Sequence, residues 1–171
     1  MSNSIVIPDM AKLNTESKNS VIVGKEDDLM LVFLGFVLGD EEFGVDLHLV
    51  KQIVIPPPVT WVPRVQPYIL GVISIRGSVI TLIDARRLMG FEASDRHDTA
   101  RVLLVDVRDE RIGLLVDAVT HVRRVPVEAF EESPDLDEGS MTDHVVGIIR
   151  PDKQTQVTVI DLKEILLEAM R

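Results

Sequence analysis

Residues 71–84 read Gly71-Val-Ile-Ser-Ile-Arg-Gly-Ser-Val-Ile-Thr-Leu-Ile-Asp84. Two β-branched runs, Gly71 to Arg76 and Val79 to Ile83, flank Gly77-Ser78. β-Branched side chains are stiff at χ1 and suit a pleated surface better than a helix. A Gly-Ser pair between two such runs signals a two-residue hairpin. Asp84 stands where an N-cap would open a short helix, and Gly90 where that helix would end. The stretch predicts strand, turn, strand and helix, and the rest of the chain follows the same idiom.

Composition agrees with a β protein. The 171 residues include 25 Val and 15 Ile against seven aromatics. The length suits one domain, or two small lobes sharing one core. Lys and Arg number 18 against 28 Asp and Glu, a net charge of -10. That field opposes nucleic-acid binding and adhesion to anionic lipid. Without cysteine there are no disulfides, thiol nucleophiles or thiolate metal sites. No apolar run is long enough to span a membrane, and the N-terminus lacks a signal-peptide layout, so direct membrane insertion is not expected. The expected location is cytoplasmic.

Working outward from the hairpin, residues 1–29 read as a flexible tail with no sustained period. Met30 to Leu38 is a buried strand, residues 39–42 a turn, and Phe43 to Leu47 the returning strand. A segment around Val50 runs to Ile55, where Pro56-Pro57-Pro58 stops it. Residues 61–67 are extended or loop, and 91–99 form a polar connector. Arg101 to Val107, Ile112 to Val116 and Val119 to Val125 are three further strands. An acidic loop over 128–143 leads to a last hairpin, Val145 to Ile149 and Gln156 to Ile160. Asp161 with Glu164 resembles a capping box for a C-terminal helix over 161–170.

The chain repeats itself. Asp40-Glu41-Glu42-Phe43-Gly44 matches Asp109-Glu110-Arg111-Ile112-Gly113, and the same offset pairs Val50 with Val119 and Ile53 with Val122. Thr81-Leu82-Ile83-Asp84 matches Thr158-Val159-Ile160-Asp161. Each half carries about five short strands, and five strands leave exposed edges unless the sheet curls shut. The expectation is two small barrels related by a pseudo-twofold, a first lobe near 30–95 and a second near 100–160.

Enzyme signatures are poor. His48, His97, His121 and His144 show no metal-ligand spacing, and Ser74 and Ser78 lack a nucleophile elbow. No phosphate loop or dinucleotide fingerprint is present. Asp46 and Asp117 could pair as catalytic carboxylates, but turn capping is the simpler reading. No catalytic residue, metal or cofactor is assigned. An enzyme or ligand carrier would need a convergent polar pocket, and no cluster lines one. Arg76 differs. It ends an apolar strand beside a glycine, where a guanidinium can reach a partner's carboxylate or helix-end carbonyls.

Taken together, Gly71–Gly77, Ile83-Asp84 and Arg86 resemble the hallmark of CheW-like chemotaxis coupling proteins. So do Phe43-Gly44-Val45-Asp46, Val50-Lys51-Gln52-Ile53, Val62-Pro63 and Gly113-Leu114-Leu115-Val116-Asp117 with Val119. The resemblance covers roughly residues 30–170. It implies a mostly β fold of two SH3-like five-stranded β-barrels, with short helices and a C-terminal helix. It also implies a non-catalytic adaptor that bridges the cytoplasmic tips of methyl-accepting chemoreceptors to the regulatory domain of the CheA histidine kinase, recruited to receptor arrays. The receptor-facing set then falls on Val50, Gln52, Ile75, Arg76 and Gly77. The hairpin around Gly113 and Leu114 is a candidate kinase contact. Ser74, Thr81 and Gln52 depart from the usual Asn, Pro and Glu, and Gln52 keeps the shape of Glu without its charge. A CheW-like adaptor of a separate pathway controlling surface motility or development, or a CheV-type relative lacking the receiver domain, remains the alternative.

Overall fold

The computed structural model describes residues 30–95, 97–132 and 144–171. The tail expected over 1–29 and most of the acidic loop expected over 128–143 lie outside the described residues. Eleven strands are described: β1 (Met30–Leu38), β2 (Glu41–Asp46), β3 (Val50–Val54), β4 (Ile69–Ile75), β5 (Ser78–Asp84), β6 (Arg101–Val107), β7 (Glu110–Val116), β8 (Ala118–Pro126), β9 (Phe130–Glu132), β10 (Val145–Ile149) and β11 (Val157–Ile160). Two helices, α1 (Ala85–Leu88) and α2 (Leu162–Ala169), follow β5 and β11. Asp84 and Asp161 cap them, accepting the N–H groups of Arg86 and Glu164 at 2.9 and 3.0 Å.

The strands form two sheets, in the orders β8-β1-β2-β11-β10-β9 and β3-β6-β7-β5-β4. These orders express the sequence repeat. β1–β2 corresponds to β6–β7, β3 to β8, and β4–β5 to β10–β11. Each sheet takes its first hairpin from one half of the chain and its remaining strands from the other. The joints are parallel pairings, β2 with β11 and β5 with β7. The expected contiguous lobes at 30–95 and 100–160 are therefore corrected: the halves exchange hairpins, and neither sheet is built from one half alone.

Register explains how the sheets curl. In the second sheet it runs from Val50 to Val105, Ile112, Thr81 and Val72. Val72 then bridges Thr60, ten residues beyond Val50 on the same strand's continuation. Both bonds of that bridge measure 2.8 Å. A stagger of this kind is what closes a sheet into a barrel. The first sheet uses the same device. β8 bends through a 3₁₀ turn at Val127–Ala129 and returns as β9 on the far side of β10. The sixth strand of that sheet is thus the far end of a bent fifth.

Three apolar clusters result. Phe33, Val125, Phe130, Ile149, Val157 and Val159 fill the first barrel. Ile73, Ile80, Leu82, Val102 and Leu104 fill the second. The largest cluster lies between them. It draws Leu34, Phe36, Leu38 and Val45 from the first sheet and Leu103, Val105, Ile112 and Leu114 from the second, and α2 closes it with Leu162, Ile165 and Leu166. The repeat extends to the barrel linings, since Ile80 and Leu82 occupy the positions of Val157 and Val159.

Tyr68 ties the C-terminus to this core by donating its hydroxyl to the Ala169 carbonyl at 2.7 Å. Tyr68→Phe removes that bond and keeps the ring, so it should cost about 1 kcal/mol of stability. A denaturant midpoint identical to wild type would show that the bond contributes nothing.

Candidate functional site

The central hairpin turns one residue earlier than its Gly-Ser pair suggests. β4 ends at Ile75 and β5 begins at Ser78, so the loop is Arg76-Gly77. Both residues have positive φ, 48° at Arg76 and 83° at Gly77. Positive φ at both central residues defines a type I′ turn, whose twist matches the flanking strands. Arginine rather than the usual Asn or Asp occupies the first position. A non-glycine residue held there costs about 1 kcal/mol, and such strain clusters at functional sites. Arg76 is exposed and, among the described residues, has no hydrogen-bond or ion-pair partner.

The other predicted residues take distinct places. Ile75 is half-buried against the interior of the second barrel. Val50 packs against the core between the barrels. Gln52 stands opposite Leu104 on β3, at the other end of the sheet order from β4. Because the sheet curls, Val54 and Ile75 nevertheless meet the same buried cluster. Gly113 and Leu114 are buried in the middle of the second sheet. A Cβ on Gly113 would lie 2.9 Å from a Val102 methyl, and Leu114 is 0% exposed. The pair is core, and its assignment as a kinase contact is corrected on that ground.

Exposed apolar side chains mark what the sequence pattern left unseen. Ile53 stands opposite Leu103, and Val79 lies on the face of β5 that continues through Thr81 to buried Ile83. Leu103 and Ile83 belong to the core between the barrels. Ile53 on β3 and Val79 on β5 thus stand on either side of β6 and β7 in the sheet order, with Ile53 in the row of Leu103, Leu114 and Ile83 and Val79 four residues from that row. Val79 is 74% exposed, Ile55 75% and Trp61 73%. Arg76, at the β4–β5 turn beside Val79, adds an exposed cation, and exposed apolar side chains next to a cation suit an amphipathic partner. Solvent exposure of these residues is a product of barrel closure, and no local spacing signals it.

Asp46 and Asp117 do not form a carboxylate pair. Asp46 caps the 3₁₀ turn at Leu47–Leu49 and accepts the His48 N–H at 2.9 Å. Asp117 reaches much further than a turn cap. It accepts the Gly39 N–H at 2.7 Å and binds the Arg86 guanidinium with both oxygens, at 2.6–2.9 Å. The Ile-Asp-x-Arg segment and the Gly-Leu-Leu-Val-Asp segment thus meet in one ion pair that joins the two sheets.

Burial pushes the Asp117 carboxyl upward, yet the bonds from Arg86 and Gly39 and the Arg86 charge outweigh it and hold it below the ordinary value. A depressed folded-state pKa means stabilisation that is complete above the unfolded value of about 3.9 and lost as pH falls through the folded value. Asp117→Asn should therefore cost about 1.5–3 kcal/mol at neutral pH. The gap from wild type should shrink in acid unfolding below about pH 4. A gap independent of pH would contradict the ion pair.

Among the described residues no group of three or more His, Asp or Glu could hold a metal ion. No described helix is long and apolar enough to cross a membrane.

Residues 32–170 match the family model of the CheW-like domain. The probable chemotaxis protein CheW of Rhizobium etli is 31% identical over 135 residues, covering 79% of this chain and 86% of that protein. The chemotaxis protein CheW of Helicobacter pylori is 31% identical over 144 residues, covering 83% and 85%. The crystal structure of the scaffolding protein TtCheW from Thermoanaerobacter tengcongensis superposes with a TM-score of 0.70 at 26% identity, over 78% of this chain and 90% of that one. A strand order written twice, an arginine held in a strained hairpin turn and this run of relatives lead to one assignment: the chain belongs to the CheW-like domain family.

Proposed function

We propose that this protein is a non-catalytic adaptor that couples methyl-accepting chemoreceptors to the regulatory domain of a CheA-type histidine kinase in chemotaxis arrays. The observation that carries the reading is the family match over residues 32–170, together with relatives named for chemotaxis. The receptor side is Arg76-Gly77 with Ile75, Val50 and Gln52, to which exposed Ile53 and Val79 are added. A receptor tip is a helical hairpin, so its apolar ridge would meet exposed apolar side chains while Arg76 meets a carboxylate or a helix-end carbonyl. The adaptor works in the cytoplasm at the membrane-associated array. Several moderate contacts, each reversible, sum by multivalency into a stable assembly.

Sedimentation with receptor fragments displayed on vesicles, in the presence and absence of the kinase, tests the reading. The chain should pellet with receptors, and more of it should pellet when the kinase is added. A chain that stays in the supernatant under both conditions would refute it.

A further inference from the structure

Both hairpins of the second sheet turn on an arginine. β4–β5 turns at Arg76-Gly77, and β6–β7 turns at Arg108-Asp109, with Val107 opposite Glu110. Arg108 has φ of 53° and Asp109 has no positive φ. The loop is therefore a type II′ turn, which favours glycine at its first central position. The repeat supplies that glycine in the other half: the offset that pairs Asp40 with Asp109 pairs Gly39, φ 62°, with Arg108. Arginine here carries a strain of about 1 kcal/mol that glycine would not. Arg108 is exposed and, among the described residues, makes no hydrogen bond or ion pair. Nothing among those residues offsets the strain.

The two turns lie at the same end of the sheet. β5 and β7 are parallel, with Thr81 beside Ile112. Followed back along both strands, that register sets Ser78 level with Asp109 and exposed Val79 level with Glu110. In the order β6-β7-β5-β4 the turns are two strand spacings apart, about 10 Å. On an α-helix, residues i and i+7 share a face and are also about 10 Å apart. The other charges at this end leave both arginines free. Arg111 is bonded to Asp106 at 2.7 and 3.1 Å. Asp109 and Glu110 are exposed and make no ion pair among the described residues.

We propose that Arg108 is a second receptor-facing cation, and that Arg76 and Arg108 together grip one receptor helix through two carboxylates two turns apart. The inference rests on the coupling role proposed above and adds the charge pattern that a receptor helix must present. Val79, between the turns, meets apolar residues on the same helix face. Asp109 and Glu110 repel acids placed elsewhere on that helix, which makes the spacing selective. Arg64 supplies a control. It too is exposed, without a partner among the described residues and held at positive φ, 60°. It follows Thr60, whose antiparallel bridge to Val72 carries the chain toward Ile69, the end of β4 away from Arg76.

Arg76→Gly, Arg108→Gly and Arg64→Gly each remove one charge and relieve the same kind of backbone strain, so all three should remain folded. Binding is read by sedimentation with vesicles that carry receptor fragments, against bare vesicles of the same lipid. Arg108→Gly should need about tenfold more receptor for half-maximal binding, as Arg76→Gly does. Arg108→Lys should recover part of the loss, and Arg64→Gly should bind like wild type. A wild-type chain that ignores receptor vesicles would overturn the coupling role and this inference together. Wild-type binding that Arg76→Gly weakens and Arg108→Gly leaves unchanged would overturn this inference alone. So would three other results: a loss with Arg64→Gly as large as with Arg108→Gly, which would reduce the effect to overall charge; equal pelleting with bare vesicles, which would give the arginines to lipid; or a loss seen only when the kinase is added, which would give Arg108 to the kinase.

Discussion

Gly71→Ala is expected to destabilise the protein by about 3 kcal/mol or more, among the largest effects of any single methyl group in this chain. Gly71 has φ of 138°, a region that glycine alone occupies without strain. An added Cβ would also collide with the Thr60 carbonyl and lie 3.1 Å from the Trp61 Cα. Thr60 is the residue whose two bonds to Val72 close the second barrel. Neither obstacle is a flexible side chain, so the backbone must move and the closure must open. Gly77→Ala provides the contrast. Its φ is 83°, but nothing lies within 4 Å of the new methyl. That variant should carry the strain alone, about 1 kcal/mol. Equal losses in denaturant unfolding would show that the Thr60 bridge does not hold the barrel shut.

Arg76→Ala should weaken receptor or kinase assembly by about 1–3 kcal/mol, the range of an interface hot spot, and leave folding nearly unchanged. The fold gives no reason to keep arginine at this turn. It has no described partner, and its positive φ is better served by glycine. Arg76→Gly therefore separates the two roles: it should match or exceed the wild-type stability while losing the same binding energy as alanine. Arg76→Lys should recover only part of the affinity, because an ammonium lacks the planar fork of a guanidinium. A folded Arg76→Gly protein that assembles like wild type would remove this residue from the interface.

Strands were the most legible feature of the sequence. Hairpins such as β4–β5 and β10–β11 combine dense β-branched runs with glycine or polar turns, and local sterics decide them. The turn at Arg76 shifted by one residue because a Gly-Ser pair predicts positive φ after the arginine, whereas β-sheet register places it at the arginine and Gly77. The exchange of hairpins between the halves was not legible. It depends on parallel pairings between strands about 30 and 115 residues apart, β5 with β7 and β2 with β11, and no local pattern encodes those partners. Asp117 looked like a turn cap because its contacts to Gly39 and Arg86 lie 78 and 31 residues away. Gly113 and Leu114 sit near a hairpin in sequence, but parallel pairing with β5 places them at the centre of the sheet. Exposed Ile53 and Val79 sit in strands that alternate like any buried strand face. Only the closed barrels reveal that this face runs out into solvent.

The coupling role is tested most directly by kinase activity in a reconstituted array. Receptor-bearing vesicles and the kinase should show low phosphorylation turnover until this protein is added, and turnover should then rise with its concentration and saturate. Arg76→Ala should shift that curve to higher concentration. A kinase equally active with and without the protein, at concentrations where all three pellet together, would contradict the account.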